Sequence, residues 1–176
     1  MELKFFCHLW GSEELEKEVF FKKVKDAGYD GVEMSLPPDH NEKGNILKLI
    51  EKYGLELIAQ HYETSTGNFQ EHKKEYRLRL ENLAKAGPLF INTQTGKDYF
   101  TFEQNSELIE IAKEISNKYN VKIIHETHRG KFSFAAHVMD TYMRKLPDLR
   151  IGFDVSHWCN VAESFLQDQT ESVDLA

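Results

Sequence analysis

Two short stretches of the sequence place carboxylates and imidazoles at the ends of apolar runs. In KIIHETH, Glu126 and His128 lie two positions apart, and in IGFDVSH, Asp154 and His157 lie three positions apart. Carboxylate and imidazole together form the ligand set of divalent ions such as Zn, Mn, Co or Mg. Two acids buried on adjacent strands without a cation would repel each other. The pattern predicts a metal between Glu126 and Asp154, or instead a protonated acid or an ion pair with Arg129.

Strand periodicity indicates which of these side chains share a face. Alternation sends Glu126 and His128 to one side of a strand. It also puts Asp154 beside Gly152, whose missing side chain would leave space for a ligand. His157 lies an odd number of positions after Asp154, so it reaches the same site only if the strand has already ended and the chain is turning.

The elements that must position these residues are short apolar runs separated by stretches of helical periodicity. The runs begin near residues 3, 31, 55, 89, 121 and 150, which is a spacing of 24 to 34 residues. That spacing is the length of one strand and one helix. Glycines mark the expected helix ends at Gly28, Gly54 and Gly87. The spacing of the runs and the positions of the glycines therefore predict six consecutive βα units with parallel strands.

Two architectures accept six βα units: an open doubly wound sheet and a (β/α)8 barrel. An open sheet binds its ligand at one switch point, whereas a barrel draws site residues from the ends of many strands. Polar residues end nearly every run here, and no G-x-G-x-x-G follows the first. We therefore expect an α/β protein of the (β/α)8 TIM-barrel type, incomplete with about six units, as a single domain over residues 1–176. The tail QDQTESVDLA is expected to contain the end of a helix and the first residues of a seventh strand.

Composition limits the classes of partner. The net charge is −7, so we expect no nucleic-acid partner. No apolar run approaches the roughly 20 residues that span a bilayer, so no membrane partner is expected. Two distant cysteines, Cys7 and Cys159, are typical of a reducing compartment, and cytoplasmic localisation is expected. Exposed edges of an incomplete barrel would favour self-association.

The segments DAGYDGVEMSL, GLELIAQHY, IIHETHRG and IGFDVSHW, in this order, resemble the xylose isomerase-like barrel superfamily. That superfamily contains sugar-phosphate isomerases and epimerases and the apurinic endonucleases. The resemblance implies that Glu126 is a metal ligand and a catalytic acid/base, that Asp154 is a metal ligand, and that His157 contacts substrate or metal. Family members complete the site with a His on strand seven and an acid on strand eight. The resemblance thus implies a chain truncated at strand seven, with impaired activity.

Four further residues are expected to contact a substrate, each with an alternative. His61 would face the pocket or be a hydrogen-bonded strand-end histidine, and Glu33 would bind substrate at the rim or form a salt bridge. Trp10 and Trp158 would wall a sugar pocket or simply pack at the rim. Because strand ends collect such groups in any barrel, the sequence leaves these alternatives open.

The resemblance implies a divalent-metal-dependent sugar or sugar-phosphate isomerase or epimerase, which moves a proton through a metal-stabilised enediolate. Its partner would be a small sugar or sugar phosphate, and its cofactor Mn, Mg, Co or Zn. One alternative is a phosphodiesterase of the apurinic endonuclease type. Another is a non-catalytic partial barrel that binds a small polar ligand. Whether this chain is an enzyme is left open, because the strand-seven and strand-eight ligands are absent from it.

Overall fold

The computed structural model describes residues 3–176. Its strands are β1 (Phe6–His8), β2 (Gly31–Met34), β3 (Glu56–His61), β4 (Phe90–Thr93), β5 (Lys122–Glu126) and β6 (Ile151–Gly152). Its helices are α1 (Lys17–Asp26), α2 (His40–Lys52), α3 (Phe69–Ala84), α4 (Phe102–Tyr119), α5 (Ala136–Lys145), α6 (Val155–Ala162) and α7 (Thr170–Leu175).

The six strands form one parallel sheet in sequence order, from β1 to β6. The register pairs His8 with Glu33, Asn92 with Ile124, and Glu126 with Gly152. Because each strand pairs with the next, the sheet curls as a half-barrel, and within residues 3–176 no pairing joins β1 to β6. The predicted α/β architecture of six βα units is confirmed.

The helices follow the sequence signals that predicted them. α4 buries the stripe of Leu108, Ala112 and Ile115, and it begins with a capping box at Thr101. The predicted terminator Gly87 follows α3 with a φ of 65°, a conformation that side chains with a Cβ rarely adopt. None of the helices in residues 3–176 has the length and apolar character needed to cross a membrane.

Strand alternation separates the two faces of the sheet. Val32, Leu57, Ala59, Ile91 and Ile123 pack in an apolar cluster with residues of α1 to α4. The positions between them carry the polar side chains, so this second face, which we call the inner face, bears Glu33, Gln60, Asn92, Gln94 and Glu126. The apolar core thus lies on the helix side of the sheet, and the chemistry lies on the other.

The prediction that the tail begins a seventh strand is wrong. Residues Thr170–Leu175 form α7, which packs on α5. Val173 packs against a second apolar cluster, whose buried members include Phe132, Met139, Tyr142 and Trp158. Glu171 forms an ion pair with Arg144 at 2.6 Å. No residue of α7 is buried, but its contacts with α5 are a tertiary effect that the short polar sequence does not signal.

Gly31 offers a first test of the sheet. A Cβ at this position would overlap the carbonyl oxygen of Glu56 on β3 and the ring of Phe6 on β1. We expect Gly31→Ala to lower the free energy of unfolding by about 1–3 kcal/mol, because the strands must move apart. Gly44→Ala, inside α2 with open space around the added methyl, should instead gain up to about 1 kcal/mol. Urea unfolding followed by circular dichroism measures both, and equal effects would contradict the close approach at Gly31.

Candidate metal site

Three potential ligands converge at the carboxyl ends of β5 and β6. One atom each of Glu126, His128 and His157 lies within 4.8 Å of the other two. The two imidazole rings have centroids 3.9 Å apart. One carboxylate and two imidazoles are a ligand set typical of Zn and other first-row divalent ions. The arrangement is therefore a candidate metal site.

Hydrogen bonds across the end of the sheet hold these ligands together. The Thr127 amide donates to Gly152 O at 2.9 Å, and the Asp154 amide donates to Thr127 Oγ1 at 2.7 Å. Asp154 caps α6, which begins at Val155 and so carries His157 in its first turn. As predicted, the strand has ended before His157, and this turn brings its ring to the inner face.

Both histidines present neutral imidazoles. Burial lowers the pKa of His128 and of His157, and for His128 the neighbouring His157, Lys131 and Arg129 lower it further. His128 Nδ1 lies 2.7 Å from Arg129 O, to which it donates, so its Nε2 keeps a free lone pair. His157 Nδ1 is enclosed without a hydrogen-bond partner. Neutral rings with free lone pairs are the form that binds a metal.

Glu126 is a buried carboxylate with neutral donors around it. Asn92 Nδ2 donates to its Oε2 at 3.1 Å, and Gln94 Nε2 lies 3.5 Å from its Oε1. Burial raises the pKa of Glu126, and the charges of Glu33 and Asp154 raise it further. Among residues 3–176, Arg129 forms no ion pair with either acid, so a protonated acid is the remaining alternative to a metal. The raised pKa of Glu126 favours its protonated form when no cation is bound, and a bound cation would stabilise the ionised form.

Asp154 uses its carboxylate locally. Its Oδ1 accepts hydrogen bonds from Ser156 N at 2.9 Å and Ser156 Oγ at 2.6 Å, while its Oδ2 lies 3.8 Å from His157 Nε2. Burial raises the pKa of Asp154, but the Ser156 hydrogen bonds outweigh it, and the net pKa is lowered. Asp154 therefore borders the cluster as a helix cap, and its role as a ligand stays a prediction.

Asn92 organises the rest of the inner face. Its Nδ2 donates to Glu33 Oε1 at 3.0 Å as well as to Glu126, so it bridges two carboxylates on different strands. His8 Nε2 lies 3.1 Å from Glu33 Oε2. The space predicted beside Gly152 is not open, because Ile124 Cδ1 lies 3.1 Å and Asn92 Oδ1 3.3 Å from where a Cβ would stand. That part of the prediction is wrong, since these two side chains fill the gap.

The predicted substrate contacts fall into two groups. Trp10 is 87% exposed and has surface to offer, whereas Glu33 is buried on the inner face with its carboxylate next to Asn92 and His8. His61 is fully buried, with its two ring nitrogens hydrogen-bonded to Thr93 and Thr64 at 2.9 Å. Trp158 is also fully buried and donates to the carbonyl oxygen of Ser133. In this structure His61 and Trp158 are core residues, which corresponds to the alternative given for His61.

Sequence reasoning missed two members of this site. It gave His128 no ligand role, although the shared face with Glu126 was the available signal. It did not consider Asn92, although Asn92 and Gln94 lie two positions apart at the end of β4. A polar residue at the same strand parity as a predicted ligand is the signal that would have found both.

Comparison with solved structures identifies the fold. A putative xylose isomerase from Rhodospirillum rubrum superposes with a TM-score of 0.68 at 15% identity, over 99% of this chain and 74% of that one. A xylose isomerase domain containing protein from Salmonella typhimurium gives 0.63 at 19% identity, over 93% and 66%. A xylose isomerase-like TIM barrel protein from Mycobacterium smegmatis, in complex with magnesium, gives 0.55 at 9% identity, over 82% and 61%.

The chain has the fold of the xylose isomerase-like TIM barrel proteins. It spans 66% of the Salmonella protein's length. No protein-family profile and no curated protein matches the sequence.

Proposed function

We propose that the chain binds a divalent cation through Glu126, His128 and His157, and that it acts on a sugar or sugar phosphate as a metal-dependent isomerase or epimerase. The convergence of these three ligand atoms within 4.8 Å carries the proposal. The fold supports it, because proteins described as xylose isomerases share this architecture. Asp154 is a further ligand in this proposal, through the carboxylate oxygen that makes no cap hydrogen bond.

The donor set fits such a cation. The two imidazoles are neutral, and the enclosed His157 Nδ1 lacks any hydrogen-bond partner. The Glu126 carboxylate is held by amide donors and has no cation within ion-pair distance in residues 3–176. Nitrogen and oxygen donors of this kind suit Zn, Mn, Co or Mg, so the ligands do not select one metal.

The proposed reaction assigns roles to residues of the inner face. A bound cation would supply positive charge next to the substrate oxygen on which negative charge develops. Glu126 removes the proton next to the substrate carbonyl, and its raised pKa suits a group that must hold that proton and return it. Glu33 binds a substrate hydroxyl. Asn92 fixes the positions of the Glu33 and Glu126 carboxylates relative to each other by donating a hydrogen bond to both. His157 and Trp10 are the remaining substrate contacts of the proposal.

Metal titration tests the proposal. We expect Glu126→Gln and His157→Ala each to weaken Co²⁺ or Mn²⁺ binding by more than about tenfold, because each removes a ligand. Isothermal titration of chelator-treated protein measures the affinity, and the Co²⁺ absorption spectrum reports the ligand field. His137→Ala removes an exposed histidine on α5 and is the matched control.

Two results would count against the proposal. If wild-type protein binds no divalent ion, the three residues do not form a metal site. If His137→Ala loses as much metal affinity as the ligand variants, the binding is unspecific. Protein that binds the ion through Glu126 and His157 but converts no aldose, ketose or their phosphates would instead be a non-catalytic partial barrel.

A further inference from the structure

Lys131 is a buried cation without a counter-charge. The residue lies in the β5–α5 loop and is 7% exposed. In the part of the chain that the structure describes, its ammonium group makes no hydrogen bond and no ion pair within 4.0 Å, and its Nζ is not among the fully enclosed side-chain atoms. Burial, and after it the Lys97 ammonium, lower its pKa to about 8. A largely buried ammonium group with no partner in the protein is costly, and one that keeps contact with solvent can be reached by a ligand.

The loops that carry the two lysines are fixed to each other. Phe132 N donates to Thr95 O at 3.3 Å, which ties the β5–α5 loop to the β4–α4 loop. The Lys97 carbonyl oxygen accepts a hydrogen bond from Asn105 Nδ2 at 3.0 Å, and its amide donates to Asn105 Oδ1 at 3.3 Å. Hydrogen bonds therefore fix the backbones of Lys131 and Lys97 in one corner at the carboxyl ends of β4 and β5.

The carboxylates nearest to Lys131 have other partners. Glu63 and Glu126 both raise the Lys131 pKa, but burial and Lys97 outweigh them. Glu63 accepts hydrogen bonds from the Ser35 hydroxyl and from the Tyr62 amide. Glu126 is held by Asn92 and Gln94 on the inner face. Neither acid neutralises the corner.

We infer that Lys131 and Lys97 form a subsite for the phosphate group of an anionic substrate, next to the candidate metal site. The Lys131 amide donates to His128 O at 3.2 Å, so the corner adjoins the metal ligands directly. Two ammonium groups match the double charge of a phosphate monoester better than the single charge of a carboxylate. Glu33, Glu126 and Asp154 make the rest of the inner face acidic, so this corner is where an anionic group of a substrate is tolerated.

The catalytic use of this subsite rests on the proposed function, whereas phosphate binding does not. The experiment therefore uses metal-free protein in chelator and inorganic phosphate as the probe. Phosphate binding is followed by isothermal titration and by the rise in melting temperature with phosphate concentration. If the protein binds no metal, the phosphate titration still tests the lysine subsite. If the protein binds no phosphate, the metal titration still tests the metal site.

We expect wild-type protein to bind phosphate and Lys131→Met to bind it at least about tenfold more weakly, because a charged hydrogen-bond donor is lost. Lys97→Gln should weaken binding in the same direction. Lys131→Met keeps the length of the buried stem, and circular dichroism checks that it folds. Lys48→Gln, an exposed lysine on α2, is the control and should bind as wild type does.

Three results would overturn the inference. The first is wild-type protein that does not bind phosphate, and the second is equal losses in Lys131→Met and Lys48→Gln. The third is acetate binding as tightly as phosphate with the same dependence on Lys131, which would make the corner a carboxylate subsite.

Discussion

The Trp158→Ala variant is expected to lose about 3–5 kcal/mol of unfolding free energy. Trp158 is fully buried, and its ring packs edge-on against Phe153 with centroids 4.9 Å apart. Its Nε1 donates to Ser133 O at 2.8 Å. Truncation would leave a large cavity and an unpaired buried carbonyl, which are two of the costliest defects in a core. Urea unfolding followed by far-UV circular dichroism measures the loss without relying on tryptophan fluorescence.

The same residue links stability to the candidate site. Ser133 Oγ donates to the carbonyl oxygen of Glu126 at 2.6 Å and accepts from the His128 amide at 3.2 Å. By holding Ser133, Trp158 positions both the end of β5, which carries Glu126, and the loop that carries His128. Metal affinity should therefore fall along with stability in Trp158→Ala.

Trp10→Ala is the matched control for this prediction. Trp10 is almost fully exposed, so its removal should change the unfolding free energy by less than about 0.5 kcal/mol. If Trp158→Ala yields no folded protein, Trp158→Phe keeps most of the ring volume and should show a smaller loss in the same direction. Similar small losses at both tryptophans would show that Trp158 is not part of the core.

Acidification from pH 7.5 to pH 5.0 is expected to cost about 4 kcal/mol of unfolding free energy, mainly through two buried histidines. Burial, and after it neighbouring positive charges with Lys131 first among them, lower the pKa of His61 to about 3. Burial alone lowers the pKa of His125 to about 4. Both rings are hydrogen-bonded to threonine hydroxyls, His61 to Thr93 and His125 to Thr95.

The direction of this pH dependence follows from the pH at which the two histidines bind protons in the unfolded and in the folded state. In the unfolded chain both histidines protonate near pH 6.5, whereas in the folded chain they stay neutral to pH 3–4. Their stabilisation is therefore complete above pH 6.5 and falls as the pH drops below it. Each histidine contributes about 1.4 kcal/mol per pH unit in that window.

Urea unfolding at several pH values between 7.5 and 5.0 measures this dependence. His125→Gln removes one of the two titrating groups and should reduce the pH slope by about half, even if its stability is lower throughout. Carboxyl groups whose pKa is lowered by ion pairs lose their contribution to the unfolding free energy only below about pH 4.5. They therefore do not affect the measurement between pH 7.5 and pH 5.0. A wild-type stability that is flat over this range would show that the two rings are not buried neutral.

The secondary structure was largely predictable because local periodicity reports burial. The α4 stripe and the end of α5 before Pro147 follow directly from apolar spacing and helix breakers. The end of β6 was not predictable in this way. The strand stops at Gly152 because Asp154 caps α6 by accepting a hydrogen bond from the Ser156 amide, and this capping signal competes with an apolar run that is typical of a strand.

The candidate site was only half predictable. Glu126 and His157 were identified from residue type and position, since polar groups at strand ends collect at one edge of a parallel sheet. His128 joined them because its backbone hydrogen bond leaves the other ring nitrogen free, a detail of loop geometry. His61 is not part of the site, because both of its ring nitrogens are hydrogen-bonded to threonine hydroxyls, those of Thr93 and Thr64.

The sequence by itself determined the alternation of strands and helices, the inner-face positions and the types of chemistry available, because these depend on neighbours only a few residues apart. The tertiary structure alone decided which groups meet. His128 and His157 come from different βα units, yet their rings lie 3.9 Å apart. Lys131 looks like an ordinary loop lysine, yet its side chain is buried beside Lys97. Such contacts depend on how separate loops pack at one end of the sheet, and no local pattern records that packing.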